Sequence, residues 1–380
     1  MRILVAAGGT GGHIYPALAV LGPLSQRRPD LDVRWLGGRR GMESDMVPTA
    51  GYRFDRLWLR TLRTVDVSAA TVMDPIRLAA SVPQALAFLA RWRPDVVYTT
   101  GGYVAIPVLM AAAALRVPSL LWEGNRLAGR SVRATARLAT TIAVTFPETA
   151  TTLSTRGYVT GTPIRHLEPG DRAAARERLQ LPPDVPVLLV FGGSQAVLRF
   201  NRAVADALPS LVTRITIIHV TGEAGFADAQ AGRDRLPAEL WGRYRPFPFL
   251  RGEMADALVA ADLLVGRAGS STLAEATAVG LPVIVVPYPH AAGHQVANAR
   301  EMVDAGAARL VPDERFDAAA LMDAAALLAD ADALDGMRAA SRGLGRRGAA
   351  RVTGDLLLAL GERRTLPAAE VVDRSSRADE

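Results

Sequence analysis

Ser270-Ser271-Thr272, Glu275, His290, His294 and Gln295 bring hydroxyls, a carboxylate, imidazoles and an amide into one short stretch. The apolar run Ala261–Val265 breaks into Gly266-Arg267-Ala268-Gly269, and the pattern predicts a helix from Ser270. The start of such a helix offers unpaired N–H groups and the positive end of its dipole, which makes it an anion site and usually a phosphate site. Each charge–dipole contact there is worth about 0.3–1 kcal/mol, up to about 2 when partly buried. Glu275 follows one turn later, where a carboxylate can accept both hydroxyls of a ribose. The apolar run Leu281–Val286 then leads into a polar loop holding His290, His294 and Gln295. Phosphate, ribose and sugar binders in that order describe a nucleotide-sugar site. The structural alternative is an ordinary strand–turn–helix with serine as N-cap.

A second constellation opens the chain. The apolar run Ile3–Ala7 meets Gly8-Gly9-Thr10-Gly11-Gly12-His13. The glycine spacing is not G-x-G-x-x-G, and Val33-Arg34-Trp35-Leu36 lacks the acid that would hold a dinucleotide ribose, which argues against an NAD enzyme. Successive glycines instead let the backbone approach an anion or a sugar. His13 stands at a helix start, where the dipole favours a neutral imidazole able to accept a proton, so it is the candidate general base. The alternative is a solvent-facing cap histidine. Gly101-Gly102-Tyr103 follows the predicted strand Asp95–Thr99, and Trp122-Glu123-Gly124-Asn125 ends the next one. Asn125 can orient a sugar hydroxyl, or simply make a turn.

These residues need a frame, and the chain supplies one twice. Strands are predicted at Ile3–Ala7, Val33–Leu36, Asp95–Thr99, Ser119–Trp122 and Thr141–Val144. A second series runs Val187–Phe191, Ile215–Val220, Arg245–Pro248, Leu263–Val265, Val283–Val286 and Ala308–Val311. Helical patterns alternate with them, including about Tyr15–Arg27, Glu168–Gln180 and Ala196–Leu208. Alternation of this kind implies right-handed βαβ units and parallel sheets covered on both faces. At 380 residues, two domains are the default. The expectation is an α/β protein of two Rossmann-like, doubly wound parallel-sheet domains facing one another across a cleft. Their bounds are 1–163 and 164–345, with a helix at 346–366 packing back towards the first domain and a flexible tail at 367–380. The junction is read from Gly161-Thr162-Pro163-Ile164-Arg165, where Gly and Pro cluster.

Composition removes several classes. There is no cysteine, so disulfides, thiol catalysis and Cys-ligated metals are excluded, and every one of the 44 basic residues is arginine, which excludes a Schiff-base lysine. Residues 1–165 hold 20 arginines against 10 acids, net +10, and the remainder is net −4. A basic half meets an anionic surface or substrate; no nucleic-acid motif or aromatic-interleaved basic stripe accompanies it, so nucleic acid is not expected. The first residues have no signal-peptide pattern, and no apolar run reaches the roughly 20 residues of a bilayer span. Met73, Ile76, Leu78, Val82, Leu86, Phe88, Leu89 and Trp92 are interleaved with Arg60, Arg63, Arg77, Arg91 and Arg93, which suits an anionic lipid surface or a half-buried helix. Metal signals are poor: His290 and His294 are four apart without the glutamate of H-E-x-x-H, and Asp330-Ala331-Asp332 sits between helical segments. No metal or cofactor is expected, the helix start at Ser270–Thr272 taking a cation's place.

Together these motifs resemble the MurG-type N-acetylglucosaminyltransferases of glycosyltransferase family 28. The resemblance runs from Met1 to about Gly361. It rests on Gly8–His13, Gly101-Gly102-Tyr103, Glu123 with Asn125, Gly192-Gly193-Ser194-Gln195, Asn201, Phe249 with Met254, Arg267-Ala268-Gly269, Glu275, Pro287, His294-Gln295 and Asn298-Ala299. It implies the GT-B fold and an inverting, metal-independent transfer of GlcNAc from UDP-GlcNAc to the 4-hydroxyl of MurNAc in lipid I. The product, lipid II, serves peptidoglycan synthesis and so cell shape and division. It further implies a peripheral enzyme on the cytoplasmic face of the cell membrane, seated on its anionic surface through residues 73–92 and working beside other cell-wall synthesis enzymes.

Carried over by position, His13 resembles the family's general base, with Tyr103 and Asn125 on the acceptor side. The donor contacts would be Ser194, Gln195, Leu250 (through its backbone, to uracil), Ser270, Ser271, Thr272, Glu275 (to ribose), His294, Gln295 (to GlcNAc hydroxyls) and Arg165, with Thr10, Gly11 and Gly12 touching both substrates. The chain departs from the family where H-E-Q-N reads Trp122-Glu123-Gly124-Asn125, where a frequent asparagine is Val132, where the residue after Ser-Gln is Ala196, and where G-N-P-V-R reads Gly161-Thr162-Pro163-Ile164-Arg165. Three rivals differ in class: a GT-B glycosyltransferase acting on another glycolipid or secondary-metabolite acceptor, a nucleotide-sugar-binding protein without turnover, and a GT-B epimerase acting on UDP-GlcNAc.

Overall fold

A computed structural model describes residues 1–39, 41–59, 73–153, 157–167, 172–193, 198–250, 252–291 and 293–378. The chain forms two compact units, Met1–His166 with Arg346–Glu380, and Leu167–Gly345.

The first unit is built on a seven-stranded sheet: β1 (Arg2–Ala6), β2 (Asp32–Gly37), β3 (Arg53–Arg56), β4 (Val96–Thr99), β5 (Ser119–Glu123), β6 (Thr141–Val144) and β7 (Gly157–Val159). Their spatial order is β3-β2-β1-β4-β5-β6-β7, and all pairs are parallel. The central strands are apolar on both faces because helices cover both: Ile3, Leu4, Val5, Val96, Val97 and Tyr98 are fully buried. Ile3 pairs with Val96 and Ala6 with Thr99, so β1 and β4 end side by side. The chain turns one way from β1 and the other way from β4, and the carboxyl edge of such a switch point is where open α/β sheets bind ligands.

The second unit repeats the plan with six strands: β8 (Val187–Phe191), β9 (Thr216–Val220), β10 (Tyr244–Phe247), β11 (Leu263–Gly266), β12 (Val283–Val285) and β13 (Ala308–Leu310). The order is β10-β9-β8-β11-β12-β13, again parallel throughout, with Leu188 paired to Leu263 and Phe191 to Gly266. Here the switch point lies between β8 and β11. The molecule is thus two doubly wound parallel-sheet units, the class that its motifs predict.

Three features differ from expectation. β3 and β7 were not foreseen. Both are edge strands; β3 reads Arg-Phe-Asp-Arg and β7 has three residues, so neither carries a buried apolar run. The expected flexible tail contains a helix, Ala369–Arg377, in which Val372 and Ser376 are buried. Arg346 holds it through Asp373 Oδ1 and Ser376 Oγ, both at 2.7 Å. Two positions four apart are enough to seat a helix whose composition is otherwise polar. The preceding helix, Ala349–Gly361, belongs to the first unit as well, its Val352, Leu356, Leu357 and Leu360 joining the cluster of Ile3, Val20 and Leu24.

The apolar residues of 73–92 divide. In the helix Asp74–Trp92, Ala85, Leu89 and Trp92 pack with Leu4, Leu36 and Val108 in the core, while Ile76 (53 % exposed), Met73 and Leu86 face outward. The outward patch is therefore smaller than the sequence suggests, because one helical face is already buried; Arg60 and Arg63 lie outside the described residues. Among the described residues, no helix is long and apolar enough to cross a membrane.

Candidate active site

At the first switch point, β1 runs into Gly8–Thr10 and the helix Gly11–Arg27, while β4 runs into Thr100-Gly101-Gly102. Thr99 ties the two strand ends together, donating from Oγ1 to Ala6 O at 2.5 Å and accepting from Gly101 N at 3.2 Å. Thr10 is the helix N-cap in extended conformation and makes no side-chain cap bond, and the first turn has no acid. Pro16 lacks the N–H that the Gly12 carbonyl would otherwise receive.

His13 stands in that first turn. Its Nδ1 lies 2.7 Å from Thr100 O, and Thr100 Oγ1 donates back to His13 O at 2.8 Å. A carbonyl oxygen only accepts, so Nδ1 carries the proton, and in the neutral ring the lone pair is on Nε2. The half-buried imidazole is in this way fixed in orientation and tautomer as a proton acceptor. Gly101 and Gly102 adopt φ +88° and +79° against it, and a Cβ at Gly102 would meet Gly8 O at 2.9 Å and His13 Cδ2 at 3.5 Å. Only glycine fits there.

The loop rests on a carboxylate that sequence reasoning missed. Glu43 is fully buried; it accepts from Gly9 N at 3.0 Å, Gly38 N at 3.3 Å and Tyr103 OH at 2.6 Å. Tyr103 is only 6 % exposed and its hydroxyl is committed to Glu43, so it braces the glycine loop. Glycines at 37, 38 and 41 around a lone glutamate were the available signal. Glu123 does similar work for the next loop, accepting from Asn125 N (2.8 Å), Asn125 Nδ2 (3.0 Å) and Gly129 N (2.9 Å). The Asn125 NH2 is thus engaged internally. Trp122, where the family usually has histidine, is buried and donates from Nε1 to Gly161 O at 3.0 Å. Val132 is buried against Gly101, and Thr162 bonds Thr145 through their hydroxyls at 2.8 Å. Arg165 lies over the Tyr15 ring at 6.0 Å.

At the second switch point, β8 runs into Gly192-Gly193, with Gly193 at φ +72° and open space where its Cβ would be. Ser194, Gln195 and Ala196 lie outside the described residues. β11 runs into Arg267-Ala268-Gly269 and the helix Ser270–Val279. Gly269 caps it without a side chain, and no acid stands in its first turn. Ser270, Ser271 and Thr272 are half-buried there, and the buried Oγ of Ser271 has no partner among the described residues. Glu275 is half-buried one turn on, four residues from Ser271 and so on the same helical face.

This loop rests on a cation. Arg267 is buried, stacked on Phe200 (4.8 Å) and Tyr288 (5.4 Å), and its Nη1 donates to Val286 O at 2.9 Å, Pro287 O at 3.3 Å and Asp313 Oδ1 at 2.5 Å. Gln295 Oε1 accepts from Ala268 N at 3.2 Å and Tyr288 N at 2.8 Å, while Asn298 donates to Ala268 O at 3.3 Å. The Gln295 carbonyl therefore ties two loops together. His294 opens the helix His294–Asp304 after Gly293 at φ +78°. Leu250 is buried beside the exposed Phe249. Among the described residues, no group of three or more His, Cys, Asp or Glu side chains could hold a metal ion.

Residues 3–144 match the glycosyltransferase family 28 N-terminal domain and residues 187–348 the glycosyltransferase family 28 C-terminal domain. The chain is 39 % identical over 356 residues to the UDP-N-acetylglucosamine--N-acetylmuramyl-(pentapeptide) pyrophosphoryl-undecaprenol N-acetylglucosamine transferase of Desulforudis audaxviator, covering 91 % of this chain and 95 % of that one. It is 39 % identical over 372 residues to the transferase of the same description from Nocardioides sp., covering 95 % and 98 %. The crystal structure of Acinetobacter baumannii MurG superposes with a TM-score of 0.75 at 28 % identity, covering 94 % of this chain and 99 % of that one. Two doubly wound units with glycine loops at both switch points, two matched domain descriptions and relatives alike over nearly their whole length agree: the chain belongs to glycosyltransferase family 28.

Proposed function

We propose that this chain is an inverting, metal-independent N-acetylglucosaminyltransferase that moves GlcNAc from UDP-GlcNAc to the 4-hydroxyl of MurNAc in lipid I, forming lipid II. The observation that carries the mechanism is His13 held by Thr100 O with its Nε2 as proton acceptor. The 4-hydroxyl oxygen attacks the anomeric carbon as its proton passes to Nε2. The bond from that carbon to the diphosphate breaks, and UDP leaves with the electron pair, inverting the centre. Base catalysis of this kind is worth about 10²–10⁴ in rate.

The second unit binds the donor. The diphosphate gains charge as it leaves, and the uncapped start of the helix Ser270–Val279 stabilises it with backbone N–H groups and the helix dipole. Ser194 and Gln195 also contact the diphosphate, Glu275 takes the ribose hydroxyls, Leu250 meets uracil through its backbone, and His294 with the Gln295 NH2 reaches the GlcNAc hydroxyls. Thr10, Gly11 and Gly12 touch both substrates. Asn125 and, through the loop it braces, Tyr103 shape the acceptor side, and Arg165 is a further donor contact. The enzyme works at the cytoplasmic face of the membrane, where Met73, Ile76 and Leu86 with neighbouring arginines meet anionic lipid. The relatives' shared description, which names both sugars and the undecaprenol carrier, supports this reading over other acceptors.

The test is UDP release from UDP-GlcNAc in detergent, with and without a lipid I analogue and with no added metal. Release that depends on the analogue is the expected result. Donor binding without analogue-dependent release would refute the acceptor assignment, and release only on addition of a divalent cation would refute the metal-free mechanism.

A further inference from the structure

The second unit carries another cationic recess, at the opposite edge of its sheet from the loops after β8 and β11. Asp262, directly before β11, accepts from the N–H of Val187, the first residue of β8, at 2.8 Å, which marks the amino edge. Three guanidiniums converge on this one carboxylate: Arg176 Nη2 at 2.8 Å, Arg338 Nη2 at 2.9 Å, and Arg172 Nη2. Arg338 also reaches Asp335, whose side chain is largely exposed, so that pair is weak compensation. Burial, and after it the adjacent Arg172 guanidinium, holds Arg176 below the ordinary arginine value. Among the described residues, three guanidiniums share the one carboxylate of Asp262, with Asp335 and Asp184 as further acids beside Arg338 and Arg176.

Beside it lies a cavity of about 160 Å³. Among the described residues its charged lining is Arg172, Arg338 and Arg342, with no carboxylate, and the rest is apolar or glycine. The buried Nε of Arg172 has no acceptor among the described residues, and the exposed side chain of Arg342 makes no ion pair among them. Arg342 is seated by a glycine, since a Cβ at Gly280 (φ +69°) would collide with its side chain. Guanidinium forks match the oxygens of phosphate, and an anion relieves the repulsion among them. The volume is well below the roughly 300–1,000 Å³ of sites for drug-sized ligands, so the occupant is phosphate-sized.

We infer that this recess binds a phosphate group, at a site separate from the donor's diphosphate. The site takes inorganic phosphate or the phosphomonoester end of a larger molecule. The experiment uses the full-length protein saturated with UDP, so that the donor site is filled, and titrates inorganic phosphate by calorimetry at fixed ionic strength. One saturable site is expected, with a dissociation constant raised about 10-fold or more by Arg342→Glu. The Arg342 side chain is exposed and has no hydrogen-bond or ion-pair partner among the described residues, so the variant should keep the wild-type melting temperature and UDP affinity, and Arg172→Lys, which keeps the charge and loses the fork, should fall between. Flotation with phosphatidylcholine vesicles, with and without phosphatidic acid, separates the sources. Arg342-dependent capture by phosphatidic acid without soluble phosphate binding identifies a lipid headgroup; Arg342-dependent soluble binding identifies a free ligand. No saturable binding in either arm, or binding indifferent to Arg342→Glu, overturns the site.

Discussion

The two sheets end alike and are braced by opposite charges. Behind the first switch point sits a buried carboxylate, Glu43, which takes N–H groups from Gly9 and Gly38. Behind the second sits a buried guanidinium, Arg267, which gives N–H groups to the carbonyls of Val286 and Pro287. The brace decides what the loop has left to offer. A carboxylate satisfies donors, and beside its own uncapped helix start the first site keeps an acceptor, the Nε2 lone pair of His13. A guanidinium satisfies acceptors, and what remains at the second is a helix start with its N–H groups open to an anion. One topology repeated in one chain thus yields, in the proposed mechanism, a place to receive a proton and a place to receive phosphate.

The comparison can be broken at its braces. Glu43→Ala leaves Gly9 N–H, Gly38 N–H and Tyr103 OH without their acceptor, each costing about 1–3 kcal/mol when buried. The expected loss, read by urea unfolding, is roughly 3–5 kcal/mol after partial relaxation. A loss below about 1 kcal/mol would mean that the loop has another support.

A smaller effect sharpens the contrast between two histidines. His13 sits at a strand's carboxyl edge with a lone pair available. His219, on β9, is fully buried with Nδ1 2.9 Å from Tyr244 OH and Nε2 unpartnered among the described residues. Burial pushes its pKa from 6.5 down to about 3. Above pH 6.5 the ring is neutral whether folded or not. As pH falls from 6.5 towards 3, the unfolded chain binds a proton that the native state does not, so stability falls by up to about 1.4 kcal/mol per pH unit. Between pH 6.5 and 5.5 this costs about 1 kcal/mol. Unfolding curves at the two pH values should show that increment in the wild type and lose it in His219→Phe; equal slopes would contradict it.

The central strands were legible because burial on both faces leaves unbroken apolar runs such as Val187–Phe191, and the glycine loops because only glycine tolerates the φ of Gly101, Gly102 and Gly193. β3 and β7 were not, since an edge strand need not be apolar. His13 is singled out as a candidate base by its place after the glycines, but its tautomer is set by Thr100, 87 residues away. Glu43, and the bracing role of Arg267, escaped for the same reason: a charge in sequence reads as surface, and only the assembled fold shows what it satisfies. Gln295 was assigned to a sugar from its position, whereas its carbonyl also holds two loops together.

The most direct test crosses the two sites: transfer rate and UDP-GlcNAc affinity measured side by side in His13→Ala and Glu275→Ala. His13→Ala should slow transfer about 10²–10⁴-fold with an unchanged dissociation constant. Glu275→Ala should raise that constant about 10- to 100-fold, the loss of a charge-assisted pair to ribose. Near-full turnover in His13→Ala, or unchanged donor affinity in Glu275→Ala, would contradict the division of labour between the two switch points.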